Sequence, residues 1–360
     1  LLYNAVLLVV DLLAVWWFHR RKTPLAWFLV MAAANVCSLA LAGALAARYE
    51  NHFGFFRLWA YGIFLHNVLL LAATALIGRR PNPRLAITAL AIGIGLSLVA
   101  ADAFLIEPHW LDVSHYRIAS PKIHTPVRIV VLADIQTQRI GPYEKSVLQQ
   151  ALDEKPDVIL FAGDYLQTPF DRQPLLLAEL NDYLREIHFS APLGMYAVSG
   201  NIDSYLWQDG FKGAGVITVP ITKSFDLGDV RLTCLGLYES FNNRLKLPNP
   251  KPDRFHLVLG HTPNFALGAV TADLMLAGHT HGGQVRLPFI GPMITHSVIP
   301  HTWATGLTDL PAGGKLIVSR GIGMERGHAP PMRFLCRPEL VVIDLVPEIS
   351  EKEESADDRG

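Results

Sequence analysis

Leu274-Met275-Leu276-Ala277-Gly278-His279-Thr280-His281-Gly282-Gly283 is a short apolar run that stops on two imidazoles one residue apart, set among glycines. A run of this length bounded by glycine reads as a buried strand. Two histidines at i and i+2 point the same way on a strand, or converge at a turn. Glycines beside them let the backbone turn sharply and leave room for an ion. Alone, the stretch is moderately specific; its weight comes from what the same reading finds upstream.

Towards the N-terminus the pattern repeats. Phe255 to Leu259 ends in Gly260-His261, and Gly194 to Val198 ends in Ser199-Gly200-Asn201. Asp157 to Ala162 ends in Gly163-Asp164, and Val127 to Leu132 in Ala133-Asp134. Tyr143 to Glu154 and Gln173 to Ile187, between these runs, have helical spacing. Alternating strands and helices predict an α/β layered core. Further strands are expected at Val230 to Leu237, Lys315 to Ser319 and Leu340 to Leu345, and two sheets with helices outside account for the whole set. Each Gly-Asp or Gly-Asn pair is by itself an ordinary turn signal, and a lone Gly-His is more often a satisfied structural histidine. Together they put metal-competent side chains at the carboxyl ends of strands, where open α/β sheets bind ligands.

Two divalent ions held about 4 Å apart can clamp both oxygens of a phosphoryl displacement. Such a centre needs hard oxygen ligands, imidazoles and a carboxylate able to bridge. Asp164 is the expected bridge. Asp134 and His281 would serve one ion, and Asn201, His261 and His279 the other. A water shared by the two ions is the expected nucleophile. The mixed Asp, Asn and His set suits manganese first, with iron or zinc as alternatives, better than magnesium or calcium.

Before Val127 the chain changes character. Apolar stretches run from Leu1 to Phe18, Thr23 to Ala46, Leu58 to Ile77 and Leu85 to Ile106. Each is near the roughly 20 residues that span a bilayer as a helix. Buried core helices would show polar faces, which these mostly lack, and one cleaved signal peptide would leave the other three unexplained. The expected organisation is an α-helical transmembrane bundle over 1–106, an interfacial linker over 107–125, a catalytic domain over 126–347 and a disordered acidic tail over 348–360. Trp110 and Tyr116 are expected at headgroup level in the linker. Arg20, Arg21 and Lys22 follow the first stretch, and Arg79, Arg80 and Arg84 the third. The second connection has Arg48 and Arg57, partly offset by Glu50. By the positive-inside rule the first and third connections are cytoplasmic, so the domain after the fourth span is extracytoplasmic. Asp11, Asn35, His66, Asn67 and Asp102 within the spans read as interhelical pairing groups. A net charge of −1 gives no global field for nucleic acid, and the soluble part lacks the basic runs with interleaved aromatics that would track a nucleic-acid backbone. Cys234 and Cys336 read as core thiols.

With these residues assembled, the sequence resembles the calcineurin-like metallophosphoesterase family. That family's motifs are Asp-x-His, Gly-Asp, Gly-Asn-His-Asp/Glu, a His after a strand, and Gly-His-x-His. The resemblance covers about Pro126 to Val346. Ser319-Arg320-Gly321-Ile322-Gly323, Arg333-Phe334 and Pro338-Glu339 are similar to the exported or membrane-attached bacterial branch. The resemblance implies a four-layer α/β-β/α sandwich, with Asp134, Asp164, Asn201, His261, His279 and His281 as metal ligands. It implies hydrolysis of a phosphate ester or pyrophosphate. Because the apolar spans would hold the site near headgroups, a lipid-linked phosphate is the natural substrate class.

Two positions depart from the pattern. Gln136 stands where the family has a ligand histidine; its amide oxygen either coordinates weakly or holds a metal-bound water. Ile202 replaces the histidine that helps the leaving group, and isoleucine has no proton to give. His296, His301 and His328 are left unassigned. His328, in the loop after Arg320, is a candidate substitute acid, with a plain surface histidine as the alternative. Arg326 is a candidate phosphate clamp on the same terms. These departures also support a second reading, a catalytically impaired metal- or phosphate-binding sensor at the membrane.

Overall fold

In the computed structural model, residues 1–49, 52–249, 251–292, 294–327 and 329–348 are described. The chain divides into two compact units. One comprises Leu1–Ile106 with Glu325–Met332, the other Glu107–Met324 with Arg333 onward.

The first unit holds helices α1 (Leu2–Arg21), α2 (Pro24–Arg48), α3 (His52–Tyr61), α4 (Asn67–Gly78) and α5 (Pro83–Ala101). A π-helical turn, Gly62–His66, joins α3 to α4 into one rod. Among the described residues, four helical stretches are long and apolar enough to cross a membrane: Leu2–Arg21, Pro24–Arg48, Gly54–Gly78 and Pro83–His109. Proline opens both α2 and α5, where its missing N–H costs nothing. The Thr23 hydroxyl caps α2 by accepting from the Ala26 N–H at 3.1 Å. The bundle is turned inside out relative to a water-soluble one. Leu12, Leu13, Phe28, Val36 and Leu76 face outward, while Asp11, Ser38 and His66 are buried. Asp11 pairs with His66 at 2.6 Å, and Asn35 exchanges amide hydrogen bonds with Asn67. Such polar pairing between helices is what an apolar surround favours. Arg57, expected in a connection, lies inside the third helical stretch, and its guanidinium donates to the carbonyls of Arg326 and Gly327 at 3.3 Å. Glu50 and His328 lie outside the described residues, as does the tail after Glu348.

The second unit is built on strands β1 (Asp112–Ser120), β2 (Val127–Leu132), β3 (Val158–Phe161), β4 (Met195–Val198), β5 (Val216–Val219), β6 (Lys223–Leu227), β7 (Val230–Cys234), β8 (Phe255–Leu259), β9 (Leu274–Ala277), β10 (Gly306–Asp309), β11 (Lys315–Val318) and β12 (Glu339–Pro347). They form two six-stranded sheets, β1-β12-β2-β3-β4-β5 and β10-β11-β9-β8-β7-β6. The central strands are parallel, and β12 runs antiparallel to β2.

Because the strands are buried on both faces they read as continuous apolar runs. Ile129 and Val131 of β2 point into the core between the sheets with Leu160, Val198, Leu257, Leu276 and Ile343. Val130 and Leu132 point the other way, under helices α6 (Pro142–Asp153) and α7 (Gln173–Glu186). The outer face of the second sheet is covered by a thinner layer, the five-residue α8 (Leu237–Phe241) and a 3-10 turn at Pro263–Leu267. The four-layer sandwich is therefore present, with its last layer reduced.

One stretch differs from expectation. Within 107–125, read as a linker, Asp112–Ser120 forms β1 and pairs in parallel with all nine residues of β12. Tyr116, expected at a lipid headgroup, packs against the inter-sheet core instead. An edge strand exposed on one face has no continuous apolar run, so β1 carried little signal. Trp110 is exposed, with the Arg337 guanidinium 4.3 Å over its ring.

Candidate metal centre

Five strands deliver the site. Asp134 follows β2, Asp164 follows β3, Asn201 follows β4, His261 follows β8, and His279 and His281 follow β9. Asp134, Asp164 and His261 are buried, His279 is half-buried and Asn201 is exposed, so the site runs from a dry floor to an open rim.

The floor is held together by close backbone approach. Gly163, at φ 88°, lies against Gly200, and a Cβ on it would stand 2.5 Å from the Gly200 nitrogen. The Ile202 N–H donates to Asp164 Oδ1 at 3.0 Å, and the His279 N–H donates to both carboxylate oxygens of Asp134 at 3.0 and 2.8 Å. Asp134, Gln136, Asp164, His279 and His281 all have left-handed backbone, with φ of 50°, 38°, 57°, 69° and 48°. Non-glycine residues in this region are strained, and such residues cluster at functional sites.

The donor atoms converge. Ligand atoms of Asp164, His261 and His279 lie within 4.8 Å of one another. His261 donates through Nδ1 to the Ala162 carbonyl at 2.8 Å, which turns Nε2 into the site. There Nε2 meets Asn201 Oδ1 at 2.9 Å, His279 Nδ1 at 3.2 Å and Asp164 Oδ2 at 3.4 Å. His279 in turn gives Nε2–H to the His296 carbonyl at 3.1 Å, leaving Nδ1 facing inward. Carbonyl partners of this kind fix the tautomer and aim of metal-binding imidazoles.

The atoms around His261 Nε2 are acceptors crowded around one point, an arrangement that favours a proton on that nitrogen when no metal is bound. Burial opposes charge on His261, but Asp164 and Asp134 outweigh it and raise its pKa to about 9. Burial and then the charge on His261 push His279 down to about 4, so it stays neutral. Burial raises Asp134 to about 7. Burial also resists charge on Asp164, yet His261 beside it holds the carboxyl below the usual range. A divalent ion in place of that proton satisfies all four acceptors, so metal fits the donor set.

A second group adjoins the first. His281 Nδ1 is buried without a hydrogen-bond partner, and burial followed by the charge of Arg333 keeps its ring neutral. Gly321 separates it from Asp134. A Cβ there would stand 2.9 Å from Asp134 Oδ2 and 3.2 Å from His281 Nδ1. Gln136 is buried, with its N–H on the Asp164 carbonyl at 2.9 Å. Arg326 groups with the helices rather than with these residues, and His301 gives Nδ1 to the Pro292 carbonyl at 3.2 Å.

Two residues have structural tasks that the sequence did not assign, one of them, Arg333, already visible as part of a motif. Asp203 accepts backbone N–H bonds from Asp164, Gly200 and Tyr165 at 2.7–2.9 Å, locking the Gly-Asp turn to the Gly-Asn turn. The signal was present as an aspartate three residues after Gly200. Arg333 is fully buried and donates to the carbonyls of Arg320, Gly321, Gly323 and Cys336. It thereby fixes the loop whose Gly323 N–H reaches the Asp134 carbonyl at 2.7 Å.

A family model described as calcineurin-like phosphoesterase matches residues 127–283. The metallophosphoesterase YkuE of Bacillus subtilis is 30% identical over 273 residues, covering 67% of this chain and 87% of that protein. The phosphodiesterase YaeI of Escherichia coli is 30% identical over 255 residues, covering 67% and 90%. A metallophosphoesterase of Aquifex aeolicus is 29% identical over 264 residues, covering 67% and 94%.

Proposed function

The chain belongs to the calcineurin-like phosphoesterase family, a class of metal-dependent hydrolases, and from that premise we propose that it cleaves a lipid-linked phosphate ester or pyrophosphate with a two-ion centre. Asp164 would bridge the two ions. Asn201, His261 and His279 would hold one. Asp134 and His281 would hold the other, with Gln136 as a weak further ligand. Manganese is the favoured ion, with iron or zinc as alternatives. Divalent ions supply Lewis acidity for the phosphoryl group and the attacking water.

The observation that carries the reading is the convergence of Asp164, His261 and His279 beside the partnerless His281 Nδ1. The protein's own contribution is positional. Ala162 and His296 carbonyls aim two imidazoles inward, and Ile202 N–H orients the bridging carboxylate. The Ile202 side chain offers no proton, so a leaving group of low pKa, such as a phosphate, suits the site better than an alkoxide. The four apolar helices support a membrane-held site and hence a lipid substrate. The charge pattern of the connections supports an extracytoplasmic domain.

The test uses the full chain in detergent, stripped with chelator and titrated with manganese or zinc. One tight and one weaker site are expected, because the Asp134 and His281 ion has Gln136 in place of an imidazole. Activity on an aryl phosphodiester should return with metal. His279→Ala should abolish both that activity and the tight site. Activity that survives this substitution, or two sites of equal affinity, defeats the assignment.

A further inference from the structure

The segment that follows the Gly-His-Thr-His-Gly-Gly motif is a small hairpin, Arg286–Leu287 paired with Gly291–Pro292. Its base rests on the motif: a Cβ on Gly283 would stand 3.0 Å from the Pro292 Cα. Its tip is a turn closed by the Ile290 N–H on the Leu287 carbonyl at 3.2 Å. Proline occupies the second turn position and Phe289 the third, with φ 68°. That third position in a turn of this shape calls for glycine or asparagine. A bulky aromatic there is strained.

Strain of this kind is kept when something returns the cost, and nothing within the hairpin does. Phe289 is 109% exposed and Ile290 70%. The left-handed turn instead throws the ring off the tip. Two adjacent bare apolar side chains on a strained turn form an exposed apolar tip suited to burial in an apolar phase outside the chain. Among the described residues the chain carries four helices of membrane length, so a bilayer is an apolar phase to which this domain is tethered.

We propose that the hairpin tip inserts Phe289 and Ile290 into the outer part of the same bilayer, as a wedge that brings the metal-centre motif to the headgroups. This rests on the membrane-anchored reading above but not on any substrate. Amphipathic elements bind membranes in this way through a few buried apolar side chains, with an aromatic at the interface.

The full chain is reconstituted in phosphatidylcholine–phosphatidylglycerol vesicles containing a lipid-borne nitroxide quencher. Single probes are an environment-sensitive fluorophore on native Cys37 in α2, on Ile290→Cys, and on Glu186→Cys at the end of α7, the latter two with Cys37→Ser. Quenching is expected at 37 and 290 and not at 186. Adding Phe289→Gly, which relaxes the turn and leaves the fold intact, should cut quenching at 290 at least twofold. Quenching at 37 with none at 290 overturns the wedge and leaves the anchor standing. No quenching at 37 overturns both. A spectral shift at 290 that grows with protein concentration in detergent, without lipid, means that a second copy covers the tip, and also overturns the proposal.

Discussion

Ile202 and His261 show how much one side chain decides at this site. Ile202 is half-buried, and its N–H donates to the Asp164 carboxylate proposed as the bridge. Ile202→His should raise turnover of poor leaving groups, such as alkyl phosphates, by about 10²-fold or more, while activated aryl esters change little. Equal gains on both would show that the residue does not face the leaving group. His261 makes a prediction about pH. Its pKa in the folded, metal-free protein is about 9, above the ordinary value near 6.5. A raised histidine contributes stability that is full below the unfolded pKa and is lost as pH rises through the folded one. With chelator present, the thermal midpoint should therefore fall between about pH 6.5 and 9. With metal bound the same interval should show no such fall, because the ion now competes with the proton and binding strengthens as it leaves. Metal-free melts that rise across this interval would refute the protonated His261. The identities of these residues were legible in the sequence. The left-handed backbone of Asp134 and His279 was not, because both types adopt φ > 0 more readily than most yet do so at few of their positions, and the surrounding contacts decide which.

At the scale of elements, legibility followed burial. Strands β2, β8 and β9 were readable to the residue because both faces are covered and, apart from Arg128 and His256, every position is apolar. β1 was not, since one face is open and its polar residues read as linker. The Ser319 to Gly323 and Arg333 segments were visible as a motif, but their task appears only when Arg333 is seen crossing to four carbonyls. Arg333→Met should leave those carbonyls buried without donors. A loss of about 3 kcal/mol is expected, which in a domain of this size lowers the melting midpoint by roughly 6–12 °C. Arg333→Lys, with one donor group instead of a planar fork, should recover less than half of it. A neutral effect of Arg333→Met would mean that the loop holds itself.

At the scale of the molecule, the spans were the easiest feature to read. Helices long and apolar enough to cross a membrane carry apolar residues nearly all round, and polar residues among them meet each other, as Asp11 does with His66. Orientation rests on charge alone. A phosphatase reporter fused after Glu348, just beyond β12, should be active, and a reporter that works only in the cytoplasm should be silent there. The opposite result would place the domain inside the cell.

The parallel pairing of β1 with β12 also sets a clock. β12 lies between β1 and β2, so the first strand after the helices has no neighbour until the last one exists. About 220 residues separate Ser120 from Glu339. At a synthesis rate of about 5–20 residues per second, that strand waits roughly 10–45 s. Throughout that interval a tethered, half-built sheet exposes the slot for its missing member. The first sheet is completed by Glu339–Pro347, so a protein truncated before Glu339 should be degraded, however intact Asp134, Asp164, His261 and His279.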